Sequence, residues 1–175
     1  MKNRRIRQLV LAALFAALTC VATATLSLPS PLGGYFNLGD TVILLGAFLL
    51  GPVCGPLAGA VGAALADILL SYFIYAPATF VVKALTALTA CMIFRAFKRK
   101  TILGAAIGAV VGEIVMAAGY FFYEWILYGI GGSLESLFMT NLPQAGINAV
   151  AAILLYIVLE KSHAAEKMLG GKIVS

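Results

Sequence analysis

Four ionisable side chains stand inside long apolar stretches of this chain: Asp67, Lys83, Glu113 and Glu124. A charge at membrane depth is costly, so such residues face a bundle interior, pair with one another, or meet whatever the bundle binds. Glu113, Ala117, Tyr120 and Glu124 recur at spacings of four, three and four, and Asn141, Gln144 and Asn148 at three and four. Each set therefore shares one helical face. Carboxylates, amides and a phenol on facing stripes suit the reversible binding of a small polar molecule among aromatics. Asp67 and Lys83 lie on consecutive segments joined by a tight turn. They are expected to form a buried ion pair that fixes helix register, with direct contact to a bound molecule as the second reading. The stripe Asn141, Gln144, Asn148 is divided evenly between pocket and interhelical hydrogen bonding, the latter worth about 0.6–2 kcal/mol per contact. Glu113 lies deeper and is read first as a partner for backbone or neighbouring polar groups.

The elements that carry these residues are membrane helices. Of 175 residues 62% are hydrophobic and 11% charged, whereas a soluble domain has about 45–50% and 25%. Spanning segments are expected over residues 8–28, 39–53, 56–74, 78–95, 101–127 and 141–159, giving an all-α integral membrane protein of six transmembrane helices in a single domain, 1–175. Residues 29–38 read as a turn-rich loop, with Tyr35, Phe36 and Asn37 placed as a lid or as an interfacial aromatic belt. Gly51-Pro52 through Gly55-Pro56 reads as a tight turn, and YGIGGSLES (128–136) as a polar loop. Asp40 is placed to cap the second helix. Tyr72, Tyr75, Tyr123, Trp125 and Tyr128 read as belt residues near helix ends.

The net charge of +5 is topological. Lys2, Arg4, Arg5 and Arg7 precede the first span, Arg95, Lys98, Arg99 and Lys100 separate the fourth and fifth, and Lys161, Lys167 and Lys172 follow the sixth. All fall on one face of a six-crossing arrangement, which the positive-inside rule makes cytoplasmic, with both termini. Nucleic acid is excluded as a partner on the same ground. The start has the charged region and apolar core of a signal peptide, and Ala22-Thr23-Ala24 resembles a cleavage pattern. An uncleaved first helix is expected, because the rest of the chain is membranous too.

Catalysis has little support. His163 is the only histidine, Cys20, Cys54 and Cys91 sit singly in apolar runs, and neither a HExxH helix nor a GxxxxGK[ST] phosphate loop occurs. No metal site and no cofactor are expected. Small residues form ridges that let helices approach closely in lipid: Ala12 with Ala16, Ala13 with Ala17, and Gly51, Gly55, Gly59 and Ala63. The glycines are read as internal packing. The alanines serve equally for a partner's helix.

The stretch GYFNLGDTVILLGAFLLGPVCGPLAGAVGAALADILLSYFIYAPATFVVKAL, residues 34–85, resembles the S components of energy-coupling factor (ECF) transporters, in the branch of riboflavin-, pyridoxine- and hydroxymethylpyrimidine-type subunits. The most specific pieces are Asn37-Leu38-Gly39-Asp40, Leu65-Ala66-Asp67, and Tyr75-Ala76-Pro77-Ala78-Thr79-Phe80 with Lys83. The resemblance implies a substrate-capturing subunit of the cell (inner) membrane of a bacterium. It would work with a transmembrane coupling subunit and two ATPase subunits, and would be thought to topple in the membrane during transport. It implies a vitamin site in the outer half of the bundle under a lid from the first outer loop, and a partner surface at Ala12, Ala13, Ala16 and Ala17. The expected substrate-binding set is Tyr35, Asn37, Asp67, Lys83, Tyr120, Glu124, Asn141, Gln144 and Asn148. Pyridoxine or hydroxymethylpyrimidine is favoured and riboflavin comes next. The metal-transporting members' N-terminal histidine set is missing here. The alternatives from other classes are a ligand-free membrane scaffold and an autonomous proton-coupled carrier using Glu113 and Asp67.

Overall fold

A computed structural model describes residues 2–30, 34–97 and 102–162. Lys98, Arg99 and Lys100, together with His163, Lys167 and Lys172, lie outside the described residues. The chain runs α1 (Lys2–Thr25), β1 (Leu28–Pro29), β2 (Tyr35–Phe36), α2 (Gly39–Leu69), α3 (Ala76–Ala96), α4 (Ile102–Ser136), a π-helical turn (Leu137–Asn141) and α5 (Leu142–Lys161). Four stretches are long and apolar enough to cross a membrane: Arg5–Thr25, Gly39–Leu69, Ala76–Ala96 and Ile102–Lys161. Their outward faces carry exposed apolar side chains such as Leu9, Val53, Leu69, Ile126 and Leu154. A protein in water would not leave so many uncovered; this is an all-α membrane protein.

Gly51 divides α2. Its φ of 85° and ψ of −173° are non-helical, a conformation that a residue without Cβ adopts at little cost, and Pro52 opens the next helical stretch. The two halves fold back on each other, with Gly55 against Gly46 and Ala47, and Gly59 against Ile43. Only Gly51 makes the turn: the expected turn through Pro56 is helical from Pro52 onward. A Cβ on Gly55 would lie 2.7 Å from the Gly46 carbonyl oxygen and 2.8 Å from the Ala47 Cα. Neither atom can step aside without moving backbone. Gly55→Ala is therefore expected to cost about 1–3 kcal/mol, read by thermal unfolding in detergent, while Gly131→Ala, whose Cβ would meet nothing within 4 Å, leaves the midpoint unchanged or higher. Equal midpoints for the two variants would mean that the hairpin is not packed this tightly.

Three other boundaries differ from those expected. Helix α1 is helical from Lys2 and ends at Thr25, because Leu28–Pro29 pairs with Tyr35–Phe36 in a two-residue hairpin. The second half of α2 ends at Leu69 and not at residue 74, and Ser71 takes a positive φ of 66° in the turn to α3. The segment YGIGGSLES is no loop. After a break at Gly129 (φ 75°) the helix resumes to Ser136 and passes through the π-helical turn into α5, with Ser133 and Ser136 buried.

The bundle has two unlike ends. Phe48, Phe94 and Tyr156 close one, with ring centroids 4.8 Å (Phe48–Phe94), 5.8 Å (Phe48–Tyr156) and 5.4 Å (Phe94–Tyr156) apart. Ala105, Ala109 and Ala152 pack beside them. The polar residues gather at the other end.

Candidate functional site

The first turn of α2 is anchored by amides from α5. Asn148 Oδ1 accepts from the Thr41 backbone N–H at 2.9 Å and from its hydroxyl at 2.7 Å, while Asn148 Nδ2 donates to the carbonyl oxygens of Asn37 (2.9 Å) and Gln144 (3.0 Å). Gln144 Oε1 accepts from the Asn37 backbone N–H at 2.8 Å and Gln144 Nε2 donates to Asp40 at 2.8 Å. Asn37 Oδ1 in turn accepts from the Gly39 N–H at 3.0 Å, so Asn37 satisfies a donor at the helix start by an Asx-type turn. The capping role expected for Asp40 is corrected: Asp40 is fully buried and receives Lys83 Nζ at 2.7 Å.

That contact also overturns the expected Asp67–Lys83 pair. Lys83 on α3 reaches across to the start of α2, with Tyr120's ring centroid 5.0 Å from its Nζ. Asp67, at the far end of the same hairpin, accepts instead from the Tyr35 hydroxyl. Its second oxygen, Oδ2, is buried without a hydrogen-bond partner among the described residues.

Between these groups lies a cavity. Its wall includes Tyr35, Asn37, Asp67, Lys83, Tyr120, Glu124, Asn141 and Gln144, and also Thr23, Gly34, Ala63, Tyr75, Thr79 and Thr140. The enclosed space is about 30 Å³, and counting the mouth open to solvent the empty volume is about 430 Å³. The first figure holds a water or two, far from the roughly 300–1,000 Å³ of a ligand pocket. The site is contracted around its own side chains. Thr79 and Tyr120 share a hydrogen bond of 2.9 Å, and Glu124 accepts from Asn141 Nδ2 at 3.1 Å.

Of the nine substrate-binding residues expected from the sequence, the structure brings eight to this wall. Asn148 stands behind it as a tie between helices. Tyr75, expected in an interfacial belt, is 5% exposed and lines the cavity. Trp125 and Tyr128 do lie outward. Thr79 was not singled out by the sequence, although its position four residues before Lys83 and four after Tyr75 puts all three on one face of α3. Glu113 is 2% exposed, and neither of its oxygens has a hydrogen-bond partner among the described residues. The hydrogen-bonding partner expected for it is not found among the described residues, and it is not part of the cavity wall. On α1, Ala12 and Ala16 pack toward the core while Ala13 and Ala17 are exposed, so the two alanine ridges have different surroundings. Among the described residues no three His, Cys, Asp or Glu side chains converge as a metal site requires.

A family model described as "ECF-type riboflavin transporter, S component" matches residues 3–165. The chain belongs to that family. S components are transport subunits, not enzymes. The chain is also similar to a protein of Pyrococcus woesei described as "Uncharacterized protein in gap 3'region", 39% identical over 128 residues, covering 71% of this chain and 82% of that one. Of the three quoted motifs, the side chains of Asn37, Asp67, Tyr75, Thr79 and Lys83 line the cavity, and Asp40 stands directly behind Lys83.

Proposed function

We propose that this chain is the substrate-capturing S component of an ECF-type importer. It takes a small heterocyclic vitamin or precursor from outside and delivers it with a transmembrane coupling subunit and two ATPases. Pyridoxine or hydroxymethylpyrimidine is the favoured size, and riboflavin is next. The observation that carries this reading is the chamber of buried donors and acceptors at one end of the bundle, closed by Tyr35 and Asn37 from the segment that follows α1. A ligand-free scaffold has no use for a cavity walled by two carboxylates and three tyrosines.

The topology proposed is six crossings with both termini in the cytoplasm of a bacterial cell. The reversal of α2 at Gly51 and the break at Gly129 support the count, and the clustering of Lys and Arg supports the orientation. Ala13 and Ala17, exposed on α1, are the part of the alanine surface left for a coupling subunit.

The test is thermal unfolding of the purified protein with pyridoxine, hydroxymethylpyrimidine, riboflavin and thiamine. A ligand that binds the folded form alone raises the midpoint by mass action; a flat response to every compound counts against the reading. Two variants separate binding from packing. Tyr120→Phe, which deletes one hydroxyl from the wall, is expected to lower ligand affinity by about 0.5–1.5 kcal/mol with a smaller loss of midpoint than Asn148→Ala, since the Thr79 hydroxyl alone loses a partner. Asn148→Ala orphans the Thr41 N–H and the Asn37 carbonyl, and each buried orphan costs about 1–3 kcal/mol, so its midpoint falls whether ligand is present or not. The opposite assignment of effects would place the chamber's chemistry on Asn148 and make Tyr120 structural.

A further inference from the structure

The acids facing the chamber outnumber the bases. Asp67 and Glu124 both face it, and the cation on its described wall, Lys83, is already taken at 2.7 Å by Asp40 behind the wall. Asp67 is 1% exposed and its Oδ2, buried beside the cavity, has no hydrogen-bond partner among the described residues. Glu124 accepts from the Asn141 amide, with the Ser136 and Tyr75 hydroxyls beside it, which leaves Asp67 as the acid with an oxygen to spare. An acceptor left over in so dry a place is expensive unless something donates to it. Tyr35, Tyr75 and Tyr120 add aromatic rings to the same wall, and ring faces attract cations.

From this geometry we infer the charge class of the substrate: a small aromatic heterocycle bearing a protonated amine, bound in preference to the hydroxyl or phosphate form of the same ring. The inference rests on the S-component reading above and adds to it. An ammonium donates to Asp67 and neutralises it, whereas a hydroxyl donates one proton and leaves the charge. A phosphate brings its negative charge against two carboxylates and finds no cation free among the described wall residues, an arrangement that rejects it.

The experiment is calorimetric titration of the full chain in detergent with pyridoxamine, pyridoxine and pyridoxamine 5′-phosphate. Riboflavin and thiamine are titrated in parallel. Pyridoxamine is expected to bind at least about tenfold tighter than pyridoxine, the size of one charge-assisted hydrogen bond, and the phosphate is expected not to compete. Asp67→Asn should bring the amine and hydroxyl forms within about threefold of each other, mainly by weakening the amine. Should Asp67→Asn fail to fold, the ratio measured on the natural chain decides alone. Pyridoxine, riboflavin or the phosphate binding as tightly as the cationic compounds overturns the charge class and leaves the S component standing. Binding by none of the five overturns the charge class, and if hydroxymethylpyrimidine also leaves the unfolding midpoint unmoved, the S-component reading falls with it.

Discussion

Lys83→Met is expected to be among the most damaging single changes in the bundle. Lys83 and Asp40 are both buried and 2.7 Å apart. Asp40 Oδ1 has no hydrogen-bond partner among the described residues, so the carboxylate depends on Lys83 and on the Gln144 amide through its other oxygen. Removing one member of a buried pair strands the other charge and costs about 3–5 kcal/mol. At roughly 2–4 °C per kcal/mol for a chain of this size, the unfolding midpoint should fall by on the order of 10 °C. The second substitution tells strain from charge. Asp40→Asn in the Lys83→Met background leaves no stranded charge and keeps an oxygen for Gln144, and should recover at least half the loss, a coupling that a double-mutant cycle measures. If Lys83→Met keeps its midpoint, the pair is not structural and Lys83 is available to a ligand.

The pair also marks what could be read from the sequence and what could not. The stripes on α4 and α5 were legible because i, i+3 and i+4 spacing places residues on one helical face whatever the surroundings. Tyr120, Glu124, Asn141 and Gln144 accordingly converge. Spacing within a helix says nothing, however, about how far each helix is rotated or tilted against its neighbour. Lys83 had two acidic candidates on the preceding hairpin, Asp40 and Asp67. Connectivity favoured Asp67, and the packing of α2 on α3 chose Asp40. Asp40 was further disguised by its place at a helix start, where a cap is the ordinary reading, and that task is done by Asn37 two residues before Gly39.

The glycine-bearing segment 128–136 misled for a different reason. Glycine lowers helix propensity by only about 1 kcal/mol per residue, and the packing of the face that buries Ser133 and Ser136 outweighs it. Gly129 breaks the helix, while Gly131 and Gly132 are absorbed into it. Tyr75 shows the same override at the level of a side chain. An aromatic near a helix end fits a belt by composition, but the turn at Ser71 carries Tyr75 inward, its ring 5.6 Å from that of Tyr123.

Tyr35→Phe should open the chamber. In the contracted site the Tyr35 hydroxyl occupies Asp67, and its ring lies 4.8 Å from that of Tyr72. Burial first, and then the negative charge of Asp67, push the phenol well above its ordinary range, so it remains a neutral donor at any pH the protein meets. A substrate entering a space of about 30 Å³ must displace something, and the bond to Asp67 holds the Tyr35 side chain across that space. The bond is to a carboxylate, worth about 1.5–3 kcal/mol. Deleting it should raise the association rate for the bound vitamin by on the order of tenfold, because the latch no longer has to break first. The ring contact with Tyr72 and the hairpin pairing of Pro29 with Tyr35 remain to hold the segment in place. Stopped-flow quenching of tyrosine fluorescence, with Tyr75 and Tyr120 in the wall, would give the rate. A slower association in the variant would reverse the assignment: the hydroxyl would then be a guide for the incoming substrate, and Asp67 would need its donor delivered from the lid.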